Sequence, residues 1–406
     1  MASALWTWMV YLAGDNNLST AGDEDLEQMR RVGSTDGFHL LAQFDNAGKR
    51  GTVRHRIGRD GQGEGTWKLP ETDSGDPNVL VEFVRWAHEK FPARRYGLVL
   101  WNHGSGWEPS EIERVARAVG SPGFTVREAS TRAASPLRRL LFRPALERVL
   151  AQQPTARAIC SDDGSGHSLD TVELGKALGR IHEILGQPID LLGMDACLMS
   201  NLEVAVQAAP HARFLVASEE LEPGEGWPYD RALEPLAARP ELPTGELAAH
   251  LVEAYIDSYA RQRAAGDVTQ AALDLARIGP LVQAVDHLAG ALLDGMPTAA
   301  TWIWKAQRRS VGFLEQTLWD LDGLCAALAT GTSPAVAAAT APVRAALAPG
   351  RESAVVAAGA RGARVEKCGG VSIYLPLGAA LSPFYGEIDF ACTTRWPRLL
   401  DAYGHA

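Results

Sequence analysis

The chain has 406 residues, of which 46% are hydrophobic and 22% charged, the composition of a soluble globular protein. Its net charge of -10 argues against nucleic acid as a partner, because phosphate contacts need a basic surface. Apolar runs fall short of the ~20 residues that span a bilayer, and no basic region with a cleavage site opens the chain, so we expect a cytoplasmic protein without a membrane partner. Five scattered cysteines with no Cys-x-x-Cys pair argue against a zinc site built on such pairs and agree with reduced thiols.

Strand and helix signals alternate through the first half of the chain. Apolar runs predict buried strands at 6–13, 38–44, 96–101, 156–161, 189–194 and 214–218. Helices are predicted near 23–32, 77–91, 170–185 and 201–209, and alternating segments at 52–57 and 66–69 predict a hairpin around a glycine-rich turn. This alternation predicts an α/β fold with a mostly parallel sheet flanked by helices.

The second half is richer in helical patterns. We predict helices at 247–263, 280–293, 302–328 and 334–348, with strands at 269–275, 354–358 and 371–375. Since no stretch resembles a flexible linker, we divide the chain into a core of residues 1–235 and a helix-rich C-terminal portion, 236–406, packed on that core. Residues 108–155 form an insertion within the core that is rich in arginine and has weak strand signals.

Two apolar runs end in reactive side chains. One run ends at Trp101 and is followed by His103 and Gly104, and the other ends at Asp195 and is followed by Cys197. Ligands bind at the carboxyl edge of parallel strands, so neighbouring strands of this kind would bring an imidazole and a thiol to the same rim. A thiolate beside a base is a nucleophile, although a buried structural cysteine is the competing interpretation.

Acidic side chains flank the cysteine block. Asp195 precedes Cys197 by two residues, and Glu225 lies in the loop after the next strand. A carboxylate pair in a cleft would bind an arginine or lysine side chain, whereas a solvent-exposed carboxylate is the simpler alternative, above all for Glu225. Oxygen ligands for Ca²⁺ are available in two turns, although turn and cap chemistry explains them equally well; they are Asp15, Asp162, Asp163 and Asp170.

Motifs along nearly the whole chain resemble those of the clostripain family of cysteine peptidases, in the clan that includes caspases. They are the blocks at 8–19, 100–107 and 161–166, then Met194-Asp-Ala-Cys-Leu-Met-Ser200, and the blocks at 217–220, 226–229 and 370–376. The resemblance implies a caspase-like fold and an endopeptidase that cleaves after Arg or Lys. It implies no cofactor for the chemistry, with Ca²⁺ as an option.

The resemblance also implies roles for individual residues. His103 and Cys197 would form the catalytic dyad, with the backbone N–H groups of Gly104 and Cys197 as the oxyanion hole. Asp195, Glu225 and Trp227 would bind the substrate, a protein or peptide with a basic residue before the scissile bond. Cleavage between the His and Cys blocks, by the enzyme itself or by an upstream protease, would activate a zymogen. The candidate cleavage sites are Arg127, Arg132, Arg138, Arg139 and Arg143.

Two other functions stay open on the sequence. One is a non-catalytic interaction protein on the same scaffold, and the other is a cysteine-dependent amide hydrolase of small molecules.

Overall fold

A computed structural model of the chain describes residues 4–47, 51–107, 159–260, 266–350, 352–377 and 384–406. The predicted α/β fold with a mostly parallel central sheet is confirmed, and nine strands of the described ranges form that sheet. In spatial order they are β13 (Val355–Arg361), β10 (Val268–Asp274), β9 (Phe214–Ala217), β8 (Leu191–Asp195), β5 (Ala93–Trp101), β1 (Ala4–Gly14), β2 (Phe38–Asn46), β3 (Thr52–Arg56) and β4 (Gly65–Lys68).

The centre of the sheet is parallel and its two margins are antiparallel. The adjacent strands β2, β1, β5, β8 and β9 run parallel to one another. The predicted hairpin, β3 and β4, adds antiparallel strands at one margin, and β10 and β13 do so at the other. The carboxyl ends of the five parallel strands therefore meet along one edge, where α/β proteins place their sites.

Helices cover both faces of the sheet, which explains why its central strands read as continuous apolar runs. Along β1, alternate side chains enter two separate hydrophobic clusters, with Trp8 and Val10 in one and Met9 and Tyr11 in the other. The first cluster is completed by α1 (Ser19–Val32), α5 (Tyr229–Ala238) and α6 (Thr244–Ala260). The second is completed chiefly by α2 (Pro77–Lys90), α3 (Thr171–Leu185), α4 (Leu202–Ala208) and α7 (Ile278–Asp294).

Two helices begin at clear local start signals. Asp76 accepts a hydrogen bond from the backbone of Asn78, and Pro77 occupies the first turn of α2. Asp170 and Glu173 form a reciprocal capping box at the start of α3.

The prediction of one helix at 302–328 is wrong. Two helices, α8 (Thr298–Gln307) and α9 (Leu321–Leu328), lie on either side of β11 (Gly312–Phe313) and β12 (Leu318–Asp320). Strand β12 pairs with β14 (Ser372–Tyr374), which lies some fifty residues further along the chain. Local helical periodicity is overridden here by this distant pairing, and Asp320 then caps α9.

The C-terminal portion contributes to the main sheet as well as packing against it. The predicted division at residue 235 falls inside α5, and β10 and β13 extend the sheet beyond β9. The remaining α-helices among the described residues are α10 (Pro334–Leu347), α11 (Asp389–Thr393) and α12 (Trp396–Gly404). Within the described ranges, no helix has the length and apolarity of a membrane span. The insertion at 108–155 lies outside these ranges.

Candidate active site

Two adjacent parallel strands carry His103 and Cys197 to the same edge of the sheet. In the register of β5 and β8, Trp101 lies opposite Asp195. The backbone N–H of Asn102 donates to the carbonyl of Asp195 at 3.2 Å, so the pairing continues one residue past the strand end. His103 and Cys197 each follow their paired residue by two positions, and the strand pairing therefore brings imidazole and thiol together.

Both side chains line one narrow cavity at this edge. Its volume is about 20 Å³, enough for about one water molecule. The lining residues are Leu18, Trp101, Asn102, His103, Asp195, Ala196, Cys197, Glu222, Pro223, Gly224 and Gly226. In this conformation the cavity is too small for a peptide side chain.

The thiol of Cys197 is covered by the segment that follows β9. Only 3% of the residue is exposed. The backbone N–H of Glu222 donates to Sγ at 3.2 Å, and Sγ donates to the Glu222 carbonyl at 3.7 Å. Burial, together with the nearby Glu222 carboxyl, raises the pKa of Cys197 to about 12, so the thiol is protonated in this state.

The backbone immediately after the thiol is held in an unusual conformation. Leu198 has a φ of 66°, in the left-handed region that a branched side chain rarely adopts. Its N–H donates to the carbonyl of Glu220 at 3.2 Å, and its carbonyl accepts from the side chain of Asn201 at 2.9 Å. These bonds fix the turn that presents Cys197.

His103 is oriented by Asn17. Its Nε2 lies 2.8 Å from Oδ1 of Asn17, and an amide oxygen only accepts, so Nε2 carries the hydrogen. Nδ1 is then the nitrogen that can take a proton. Burial lowers the pKa of His103 to about 3, so the imidazole is neutral in this closed state.

Asn102 joins the His103 loop to the strands on either side. Its Nδ2 donates to the carbonyls of Ala13 and Ser161, and its Oδ1 accepts from the N–H and hydroxyl of Ser161, both at 2.9 Å. Ser161 belongs to β6 (Ile159–Asp162), which forms a separate small hairpin with β7 (His167–Leu169). Ile159, the first residue of β6, forms a bridge to Gly104.

Gly104 is required by the close approach of the two reactive loops. A Cβ at this position would collide with the carbonyl oxygen of Cys197 and would lie 3.0 Å from the Cβ of Ala196. The missing side chain therefore allows the backbone of Gly104 to lie against the nucleophile's own backbone.

Three carboxyl groups are buried at or next to the cavity. Asp195 accepts from the Tyr229 hydroxyl at 2.9 Å, and burial raises its pKa to about 6. Glu222 lies within hydrogen-bonding reach of Asp195, and burial and that neighbouring charge raise its pKa well above the usual range. Asp25 accepts from the Trp101 indole at 2.8 Å, and its pKa is raised by burial and by Asp195.

These three carboxyl groups lack a cationic partner among the described residues. Burial and mutual repulsion raise the pKa values of Asp195 and Glu222, which favours one proton shared between the two carboxyl groups over two charges. A cation entering the cavity would supply the missing charge. Asp195 could be predicted from the sequence, whereas Glu222, Asp25 and Asn17 could not, because acidic and amide residues give no signal of which way their side chains point.

The other predicted substrate-binding residues lie elsewhere. Glu225 is exposed and is not among the residues that line the cavity. Trp227 is buried, its backbone N–H donates to Asp195 at 3.3 Å, and its ring packs against Gly193. The candidate cleavage sites, Arg127, Arg132, Arg138, Arg139 and Arg143, lie outside the described residues.

The candidate calcium ligands are engaged in turn geometry. Asp162 accepts from the backbone N–H groups of Ser74 and Ser165 at 2.9 and 2.8 Å. Asp15 lies near it, its pKa raised by burial and by Asp162, while Asp163 is exposed. Asp170 is the cap of α3.

A different group has metal-ligand spacing. Among the described residues, this group consists of Glu219, Asp320 and Cys368. Each offers one potential metal-ligating atom, and these three atoms lie within 4.8 Å of one another. Burial raises the pKa values of Glu219 and Asp320, which lie within hydrogen-bonding reach, so a shared proton accounts for the pair. A set that includes a thiol suits zinc better than calcium.

Comparison with known proteins identifies the family of the chain. The model of the clostripain family matches residues 10–124 and 149–401. Clostripain from Hathewaya histolytica is 26% identical over 264 residues, which cover 57% of this chain and 42% of that protein. The match thus spans less than half of that relative's length.

Two solved structures share the fold over nearly the whole chain. A secreted C11 cysteine protease from Bacteroides thetaiotaomicron, in complex with an irreversible peptide inhibitor, has a TM-score of 0.65 at 20% identity, with coverage of 97% of this chain and 100% of that one. An inactive zymogen C11 protease from Parabacteroides distasonis has a TM-score of 0.67 at 18% identity, with coverage of 96% and 98%. Cysteine proteases of this family need no cofactor for their chemistry, and Ca²⁺ is an option for them. The chain belongs to the clostripain family of cysteine proteases.

Proposed function

We propose that this protein is a cysteine endopeptidase that cleaves after Arg or Lys, with His103 and Cys197 as its dyad. The observation that carries the proposal is the pairing of β5 with β8, which brings an imidazole and a thiol into one cavity beside buried carboxyl groups. The family to which the chain belongs supports the reaction class.

In the proposed reaction, His103 Nδ1 accepts the thiol proton and Cys197 Sγ attacks the carbonyl carbon of the scissile bond. The backbone N–H groups of Gly104 and Cys197 stabilise the oxyanion, a contribution of ~3–4 kcal/mol for each donor. His103 then protonates the leaving amine, and a water molecule hydrolyses the acyl-enzyme with His103 as general base.

Asp195 is proposed to bind the basic side chain before the scissile bond. Its carboxylate is 4% exposed, lines the cavity that contains Cys197, and has no ion-pair partner among the described residues. A guanidinium or ammonium group would pair with it through charge-assisted hydrogen bonds.

We further propose that the closed cavity represents a zymogen that is activated by a cut within residues 108–155. The described residues on either side of it are Trp107, in the loop that carries His103, and Ile159, which bridges to Gly104 of that loop. A cut between these two residues would free the loop to rearrange. The enzyme itself or an upstream protease would make the cut.

A peptide panel with product identification by mass spectrometry tests the proposed specificity. The peptides differ only in the residue before the scissile bond. Those with Arg or Lys at this position should be cleaved after it in preference to the others, and Asp195→Asn should abolish that preference. Efficient cleavage after neutral residues, unaffected by Asp195→Asn, would contradict the proposal.

An arginine-based thiol-reactive inhibitor separates the proposal from a non-catalytic role. The cleaved protein should be labelled at Cys197, whereas a chain cut within 108–155 that resists labelling would favour an interaction protein. A chain that hydrolyses only small amides would favour an amide hydrolase.

We also propose that the protein is located in the cytoplasm, because all five of its cysteines are free. Cell fractionation tests this proposal.

A further inference from the structure

We infer that Glu222 is the second acidic residue of the basic-residue pocket, acting with Asp195, and that Glu225 does not have this role. The inference rests on the proposed peptidase function and names the residue that sets its preference for a cation. It differs from the position that the family resemblance indicates.

The position of Glu222 is fixed by the nucleophile itself. Its backbone N–H and carbonyl both contact Sγ of Cys197, at 3.2 and 3.7 Å. Pro223 follows it, and the N–H of Gly226 donates to the Pro223 carbonyl at 2.9 Å, which closes the turn. The carboxyl group is therefore attached to a backbone that cannot move away from the thiol while this turn is closed.

The Glu222 side chain is buried and incompletely hydrogen-bonded. The residue is 5% exposed and lines the cavity. Its Oε1 accepts from the Gln270 amide at 3.3 Å, whereas Oε2 is buried and the carboxyl relies on the proton shared with Asp195. If that proton leaves, two neighbouring buried carboxylates need hydrogen-bond donors, which a bound cation would supply.

Asp195 and Glu222 together match what a basic side chain requires. The two carboxyl groups lie within hydrogen-bonding reach of each other, and a guanidinium can donate to two carboxylates at once. The hydroxyl of Tyr229 donates to Oδ2 of Asp195 and holds this carboxyl in place. Residue 226 is a glycine next to the same carboxyl, and a Cβ at that position would lie only 2.9 Å from Oδ1 of Asp195. Glu225, although only one residue before Gly226, is exposed.

Matched substrates measure this role directly. The side chain of citrulline has nearly the shape of arginine but carries no charge, so the ratio of kcat/KM for an Arg peptide to that for its citrulline counterpart reports the pocket's preference for a cation. In the cleaved protein, Glu222→Gln should lower this ratio about tenfold to a hundredfold, mainly through KM of the Arg peptide. Glu222→Asp, which keeps the charge, should restore most of the preference.

Two further variants make the comparison specific. Glu225→Gln is the competing assignment and should lower the ratio far less than Glu222→Gln, while Glu234→Gln on the exposed face of α5 should leave it unchanged. If Glu222→Gln does not fold, Glu222→Ala removes the same carboxyl and carries the same expectation.

The experiment distinguishes a wrong assignment of Glu222 from a wrong specificity of the enzyme. A ratio within threefold of wild type in the Glu222 variants, or a collapse in Glu225→Gln alone, would overturn the inference while leaving the peptidase proposal intact. A wild-type enzyme that does not prefer Arg to citrulline would overturn the proposed specificity itself.

Discussion

At the scale of single residues, the described state holds both members of the dyad uncharged. Burial lowers the pKa of His103 to about 3 and raises that of Cys197 to about 12. A thiolate and an imidazolium would stabilise each other only if the cavity opened and admitted water or substrate. The same burial favours a proton shared by Asp195 and Glu222. These two carboxyl groups would both become charged only when a cationic ligand binds.

The carboxyl pair predicts a pH dependence that can be separated from that of the dyad. The pKa of Asp195 is raised to about 6, so this group is ionised above that pH and neutral below it. The Arg-to-citrulline ratio of kcat/KM should therefore fall about tenfold as the pH decreases from 8 to 5, because the pocket loses charge. The dyad acts on both substrates and cancels in the ratio. A ratio that stays flat across this range would show that no pocket carboxyl titrates there.

Asn17 offers a test of how His103 is oriented. Asn17→Ala removes the acceptor of the Nε2 hydrogen and should lower kcat about tenfold to a hundredfold with little change in KM, since orientation and not binding is lost. Asn17→Asp, which keeps an acceptor, should retain most of the activity and show a changed pH profile. An unchanged kcat in Asn17→Ala, with the fold confirmed by circular dichroism, would exclude this positioning role.

At the scale of elements, the site depends on two loops that touch. Gly104→Ala would force the His103 loop away from the carbonyl of Cys197, and we expect a loss of kcat/KM of about a hundredfold or more. Gly279→Ala is a matched control, because a Cβ there meets no atom within 4 Å. Both variants are compared by peptide hydrolysis and thermal unfolding. Full activity in Gly104→Ala would contradict the close packing of the loops.

Strands and helices with strong local signals could be predicted from the sequence, and those fixed by distant contacts could not. The apolar runs of β1, β5 and β8 and the capping box of α3 are local features. Strand β12 forms only because β14 pairs with it, and the sequence around it reads as a helix.

The same distinction applies to the site. His103 and Cys197 stand directly after predicted strands, so topology alone brings them together. Four glutamates lie between 219 and 225, and only the folded turn around Pro223 determines that Glu222 points into the cavity. Asn17 lies in a turn, where polar residues are common whether or not they have a function. Its contact with His103 spans 86 positions in sequence, so no local pattern predicts it.

At the scale of the whole molecule, the C-terminal portion completes the catalytic sheet. Strand β10 pairs with β9, and the backbone N–H of Gly370 donates to the Glu219 carboxylate at 2.9 Å next to the segment that covers Cys197. Residues 1–235 alone should therefore expose the edge of β9 and its apolar surroundings, and we expect aggregation or a loosely packed state.

Expression of residues 1–235 with and without 236–406 tests this dependence. Co-expression should restore a soluble complex with a cooperative thermal transition, and the fragment alone should show none. A fragment of 1–235 that unfolds cooperatively by itself would establish an independent core.

A comparison of the wild-type protein with Cys197→Ala tests whether Cys197 is the nucleophile that hydrolyses peptide bonds after basic residues. Wild-type protein and Cys197→Ala are incubated with an Arg-containing peptide, both chains first cut within residues 108–155 by the same added protease, which is then removed. Products and chain masses are determined by mass spectrometry. We predict peptide products ending in Arg from the wild type and none from Cys197→Ala, with equal thermal stability of the two. Equal cleavage by both proteins would exclude Cys197 as the nucleophile.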